Sequence, residues 1–139
     1  MNTSVIRKVI FHSAHRLYNP KWDDKKNDEV FGLCNNPNFH GHNYELHLKV
    51  SGVIDPETGF VIDLKILRDV MREHIVDKVD HTYLNEDVDF LAGQLPSTEN
   101  FAIAIWKILQ PILKNNHGVD LCKIKLTETD NHFVEYYGK

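Results

Sequence analysis

His40-Gly41-His42-Asn43-Tyr44-Glu45-Leu46-His47-Leu48-Lys49-Val50 places Tyr44, Leu46, Leu48 and Val50 on one parity and Asn43, Glu45, His47 and Lys49 on the other. A period of two over this length is the pattern of a β-strand with one covered face, and it predicts a strand over residues 42–54. His40 and His42 share the apolar parity, because side chains two apart along a strand point the same way. Two imidazoles therefore converge at the end of that strand, next to its apolar face.

Working outward, residues 4–15 are rich in β-branched and aromatic side chains, with Phe11, Ser13 and His15 on one parity, and predict a second strand. Residues 21–38 are polar, with an unbroken charged and amide run from 23 to 29, and read as a long loop of the kind that is usually functional or disordered. A turn over 55–59 leads to Asp63, a helix cap, after which Leu64, Leu67, Val70, Met71, Ile75 and Val79 recur at helical spacing up to Asp80. Ser97 or Thr98 caps a second helix with the stripe Phe101, Ile105, Ile108, Leu109 and Ile112, which Pro111 kinks or ends. Residues 121–129 and 133–137 form two strands joined by the turn-forming run from Thr129 to His132. The order ββααββ predicts an α+β domain: a four-stranded, mostly antiparallel sheet with two helices on one face. Two unpaired sheet edges then favour an oligomer.

The 139 residues, 42% hydrophobic and 26% charged, suit one domain over 1–139 with a core of its own. Sixteen basic against 20 acidic residues give a formal charge of −4 with no dense basic block, which argues against nucleic acid as a partner. No stretch approaches the roughly 20 apolar residues of a membrane span, and residues 1–13 are too interrupted for a signal peptide, so a cytosolic protein is expected. In that compartment a lone Cys34–Cys122 disulfide is not expected.

His15 closes the strand neighbouring His40 and His42, and three imidazoles leaving a fourth position open are the donor set of catalytic zinc. A histidine on an apolar face is by itself more often a hydrogen-bonded core residue; it is the triplet that points to a metal. Cys34, six residues before His40 among polar turn formers, is a candidate base or nucleophile, its thiolate being the form that takes a proton or attacks. Cys122, in mid-strand among Leu121, Ile124 and Leu126, is expected to be buried and inert. Asp80-His81 at a helix end suits a cap as well as a proton relay. Glu128 falls on the parity of Ile124 and Leu126, where a carboxylate needs a partner such as the N–H donors of a ligand.

Phe11-His12-Ser13-Ala14-His15-Arg16-Leu17, the run from Cys34 to Tyr44, Val79-Asp80-His81, Ser97-Thr98-Glu99-Asn100 and the run from Thr127 to Asn131 together resemble the 6-pyruvoyltetrahydropterin synthase family along nearly the whole chain. The resemblance implies the tunnelling fold (T-fold), in which trimers pool their sheets into a barrel and pairs of trimers form a homohexamer with active sites between subunits. It implies zinc on His15, His40 and His42, Cys34 as base, Asp80 and His81 in proton transfer, Glu128 on the pterin ring, and Thr98 and Glu99 lining the pterin pocket. The implied reaction is a lyase step of tetrahydrobiopterin biosynthesis, taking 7,8-dihydroneopterin triphosphate to 6-pyruvoyl-tetrahydropterin and triphosphate without an external redox cofactor. Arg16 is either a triphosphate contact or a structural pairing. His12 and Phe39 stand where the family resemblance would place smaller residues, which bears on substrate fit. The related 6-carboxytetrahydropterin synthase of queuosine biosynthesis is the nearest alternative, and the six-residue step from Cys34 to His40 favours the pyruvoyl enzyme. A non-catalytic pterin- or metal-binding module and a zinc phosphohydrolase are the readings from other classes.

Overall fold

A computed structural model describes residues 2–139; Met1, included in the expected domain span, lies outside it. Strands β1 (Asn2–His15) and β2 (His40–Val53) pair antiparallel over their full lengths, from Asn2 opposite Val53 to His15 opposite His40. On the far side of β2 lies β4 (Asp120–Thr129), and β5 (His132–Tyr136) folds back on it. The expectation of four strands is corrected by one: the two residues of β3 (Thr82–Tyr83) pair parallel to Ser13 and Ala14, giving the order β3-β1-β2-β4-β5. Two residues carry no periodicity, so no pattern in the sequence announces this strand.

The long polar excursion is also corrected, since it contains helix α1 (Asp24–Phe31). Its signal is a cap rather than an apolar stripe. The Asp23 carboxylate accepts the Lys26 N–H at 2.8 Å, and buried Asn27 donates through Nδ2 to Asn19 O (3.0 Å) and Asp23 O (3.1 Å) while its Oδ1 accepts Asn19 N–H (2.6 Å). A helix held by side-chain hydrogen bonds needs no hydrophobic face, which is why periodicity misses it.

The first long helix begins at its expected cap, Asp63, which accepts the Lys65 N–H at 2.8 Å. It runs through α2 (Leu64–Met71), a π-helical turn (Arg72–Val76) and α3 (Asp77–Val79), stopping at Asp80. Helix α4 (Thr98–His117), capped by Ser97, passes uninterrupted through Pro111. Pro111 and Lys107 are both exposed, so the carbonyl that loses its helical partner faces water.

Helices α2 and α4 cover the face bearing Phe11, Tyr44, Leu46, Leu48, Ile124 and Leu126, all fully buried. Phe101 of α4 meets Phe11 and Tyr44 edge-on, at ring-centroid distances of 5.8 and 5.6 Å, while Phe11 and Tyr44 stack on each other at 5.1 Å. This aromatic trio is the end of the core on which the His15 side of the sheet rests. The opposite face, with Ile6, Lys8, Ile10 and His12 from β1 and Asn43 from β2, is open. A bulge where Lys49 and Val50 face Lys123 and Leu121 breaks the parity of β4. It turns Leu121 inward, so Cys122 is half-buried with its Sγ 3.1 Å from Ser51 Oγ, in place of the full burial that simple alternation predicts.

Asp80 clasps the short parallel strand to β1. Its Oδ1 accepts the His12 N–H at 2.8 Å, its Oδ2 lies 3.0 Å from His81 Nδ1, and the His81 N–H donates to the His12 carbonyl at 2.6 Å. The His12 amide first, and then His81, hold the Asp80 carboxyl below its ordinary value. Phe101→Ala removes the centre of the aromatic trio and should cost about 3–5 kcal/mol in urea unfolding, without changing the folded far-UV spectrum. Because the folded-state pKa of Asp80 lies below its ordinary 3.8, its ionised form stabilises the fold above that pH, and the contribution is lost as pH falls through the folded value. The stability difference between the native chain and Asp80→Ala should therefore be full at pH 7 and shrink below pH 3.8.

Candidate metal centre and active site

The antiparallel register sets His15 opposite His40 and Ser13 opposite His42, so three imidazoles meet at the end of the helix-covered face. Their ring centroids lie 4.5 Å (His15 and His40), 5.0 Å (His15 and His42) and 4.8 Å (His40 and His42) apart. Glu128 joins them from β4, and the ligand atoms of all four residues lie within 4.8 Å of one another. Parity placed Glu128 on this face. Its approach to the imidazoles follows from β4 lying beside β2 with Leu126 opposite Leu46, which puts the carboxylate two residues further along, level with Tyr44 and His42.

His15 Nε2, His40 Nδ1 and His42 Nε2 are buried nitrogens without a hydrogen-bond partner. His42 Nε2 does lie 2.7 Å from Glu128 Oε1, and His15 Nε2 3.6 Å from it, but neither approach has the geometry of a directed hydrogen bond. Buried polar atoms left unpaired are costly, and three on one small space are what a cation would satisfy. His15 is prepared for that role from behind: its Nδ1 lies 2.8 Å from the Pro96 carbonyl, which fixes the proton there and frees the Nε2 lone pair. Burial pushes His40 below its ordinary pKa, with His15 and His42 acting in the same direction and Glu128 opposing, so the neutral, metal-binding form is favoured. His15 foremost, then His42, hold the Glu128 carboxyl far below the usual carboxylate range. The buried Thr98 hydroxyl donates to Glu128 Oε2. A further unpartnered nitrogen, His47 Nδ1, is on the open face near Lys49, Lys123 and Lys125 and belongs to no such cluster.

Cys34 sits in the 3-10 turn Gly32–Asn35 that follows α1, half-buried with a free thiol. Its carbonyl accepts the Leu17 N–H at 2.8 Å, which pins it beside the chain two residues after His15. Asn35 next to it donates to Asp28 Oδ1 (2.7 Å) and receives Arg16 Nε on both its oxygens (3.1 Å each). Arg16, with its guanidinium 4.3 Å from the Tyr18 ring centroid, thus has a structural duty in holding the cysteine turn. Sequence reasoning left that duty open because the partner lies 19 residues away. Glu99 is exposed on the first turn of α4 and stands outside the cluster.

Asp80 and His81 are not brought to the imidazole cluster of their own chain. His81 lies against His12, ring centroids 5.7 Å apart, and His12 Nδ1 is 2.6 Å from Asn43 Oδ1, all on the open face. The sheet stands between this pair and the three converging imidazoles. The contact of His12 with Asn43 is one the sequence reading does not anticipate; their facing positions in the two strands are its signal. Among the described residues two non-glycine residues have positive φ, Phe39 (52°) and His81 (59°), a conformation that costs roughly 1–2 kcal/mol for a residue with a β-carbon.

The sequence profile of 6-pyruvoyl tetrahydropterin synthase matches residues 4–139. The human 6-pyruvoyl tetrahydrobiopterin synthase is 45% identical over 135 residues, covering 97% of this chain and 91% of the human one. The solved structure of the Caenorhabditis elegans 6-pyruvoyl tetrahydropterin synthase superposes with a TM-score of 0.90 at 37% identity, covering 100% of this chain and 97% of that one. A putative 6-carboxy-5,6,7,8-tetrahydropterin synthase of Archaeoglobus fulgidus is 29% identical over 96 residues, 69% of this chain and 73% of that one. With the likeness running the length of both chains and the motif residues gathered at one end of the sheet, the chain belongs to the 6-pyruvoyl tetrahydropterin synthase family.

Proposed function

We propose that this chain is a zinc-dependent lyase that converts 7,8-dihydroneopterin triphosphate to 6-pyruvoyl-tetrahydropterin and triphosphate. The observation that carries the reading is the set of three unpartnered imidazole nitrogens of His15, His40 and His42 on one buried space, in a chain whose relatives are named for this reaction. His15, His40 and His42 would hold the zinc ion, which when bound would supply a Lewis acid for the substrate's side-chain oxygens and so acidify the neighbouring C–H. The Cys34 thiolate takes the proton from that carbon, and the turn built by Asn27, Asn35 and Arg16 holds it in place for this. Glu128, retained by the Thr98 hydroxyl, turns its carboxylate to the N–H donors of the pterin ring, with Glu99 at the rim of the pocket. His81, its Nδ1 held by Asp80, offers Nε2 as the proton carrier. The side-chain carbons are oxidised to the pyruvoyl level as triphosphate leaves and the ring C=N bond is reduced, with protons moving to the ring carbon and ring nitrogen of the same substrate, so the rearrangement needs no external oxidant.

The opposed placement of Asp80-His81 and the imidazole cluster supports an active site shared between copies. So does the open sheet, on which most of the β1 edge beyond the two residues of β3 has no neighbouring strand among the described residues. The whole chain acts as one domain, six copies form two stacked barrels, and the pair on one copy serves the zinc of another. No helix of the described residues is long and apolar enough to cross a membrane, and the free thiols of Cys34 and Cys122 support the cytosol as the compartment.

Zinc-loaded protein incubated with 7,8-dihydroneopterin triphosphate should release triphosphate and 6-pyruvoyl-tetrahydropterin, identified by mass spectrometry. Chelation should abolish both products and zinc should restore them. A carboxylated pterin would instead make it the 6-carboxy enzyme, and phosphate release with an unchanged side chain would make it a hydrolase. Cys34→Ala should lower kcat by about 10²–10⁴-fold while bound zinc and substrate affinity persist, the loss expected of a general base; unchanged turnover would remove Cys34 from the mechanism.

A further inference from the structure

On the open face, the end of the sheet beneath the metal centre carries a cavity of about 460 Å3. Its floor is Ala14 and Gly41, which face each other across β1 and β2 and leave room above the sheet. One side is the imidazole of His81 beside that of His12. The other is an aromatic wall in which Phe39 stacks on Tyr83, ring centroids 4.6 Å apart and planes inclined by 29°.

Phe39 and His81 are the two non-glycine residues with positive φ among the described residues, and both line this one cavity. Strained backbone survives where its surroundings enforce it, and it gathers where a side chain must be delivered in one direction. For His81 the delivered atom is Nε2, since Nδ1 is held by Asp80. For Phe39 the turn is fixed by its own N–H donating to the Asn36 carbonyl at 2.8 Å, and the ring is held up against Tyr83 with 45% of the residue still exposed. A glycine at 39 would take this backbone without strain. The phenyl ring is therefore kept at a conformational cost in a residue that lines the cavity and stays 45% exposed, where the C–H surface of a ligand would cover it.

We propose that Phe39 is a specificity-determining residue of this enzyme: its ring, propped on Tyr83, is the wall against which the C–H face of the hydroxylated side chain of the pterin substrate lies, its oxygens turned away, as His81 meets it. The inference rests on the pterin synthase reading and adds to it a residue with a defined contact.

The test compares the native chain with Phe39→Gly and Phe39→Leu, all zinc-loaded. The readouts are kcat and KM for 7,8-dihydroneopterin triphosphate, its Kd from pterin fluorescence in single-mixing experiments, and zinc content. Phe39→Gly should raise KM and Kd by about five- to twentyfold, the loss of one aromatic contact surface, with kcat within about twofold and zinc unchanged, and Phe39→Leu should recover most of the loss. KM and Kd of Phe39→Gly within about twofold of native overturn the proposal. A weakening that tracks lost zinc also overturns it, because Phe39 would then act through its neighbour His40. A native chain that binds the substrate without turning it over removes the synthase reading, yet Kd still decides whether Phe39 is the wall. A native chain that neither binds nor converts it overturns both.

Discussion

The reactive end of the molecule depends on the pairing of β1 with β2. One antiparallel ladder puts His15 across from His40 and Ser13 across from His42, and the same ladder puts His12 across from Asn43 on the reverse side. Slipping it by one residue would turn each imidazole to the wrong face and carry Phe11 and Tyr44 out of the core with them. The register is therefore secured by the apolar alternation of both strands and the aromatic trio beneath, so the energy of the core and the geometry of the imidazole cluster are specified together.

The cluster is also an electrostatic compromise. Three imidazoles repel one another as cations and lose solvation on burial, and a carboxylate placed among them offsets part of that cost. Glu128 is thus the natural counter-charge of the empty-handed histidines, and Thr98 keeps hold of its second oxygen. In the proposed zinc-loaded state a cation among the nitrogens takes over that role, which leaves the carboxylate free to face a ligand. On the proposed reading, metal loading and substrate recognition draw on the same side chain.

The sequence made the long elements legible because each carries many repeats of its period: the alternation of β1 and β2, and the helical stripes after Asp63 and Ser97. The three imidazoles were legible for the same reason, since parity alone puts His40 and His42 on the face of Tyr44. The two-residue β3 was not legible, and neither was α1, whose order comes from Asn27 and Asp23 rather than from an apolar face. The burial of Cys122 was misjudged because a bulge is a local slip in period that no residue in β4 announces. The placement of Asp80 and His81 on the far face follows from the clasp with His12, a contact between residues 68 apart. Side-chain networks across such separations leave no periodic trace, and they decide the supports of Cys34 and His81.

The sheet keeps the His15, His40 and His42 cluster and the Asp80-His81 pair on opposite faces, so on the proposed reading one polypeptide carries two half-functions that point away from each other. In the proposed shared-site assembly these are genetically separable: damage to the imidazole cluster and damage to His81 are lesions of different kinds, and an assembly that mixes chains bearing one of each still contains intact combinations. A chain with this anatomy is inherited as a single unit but can be impaired, and complemented, as two.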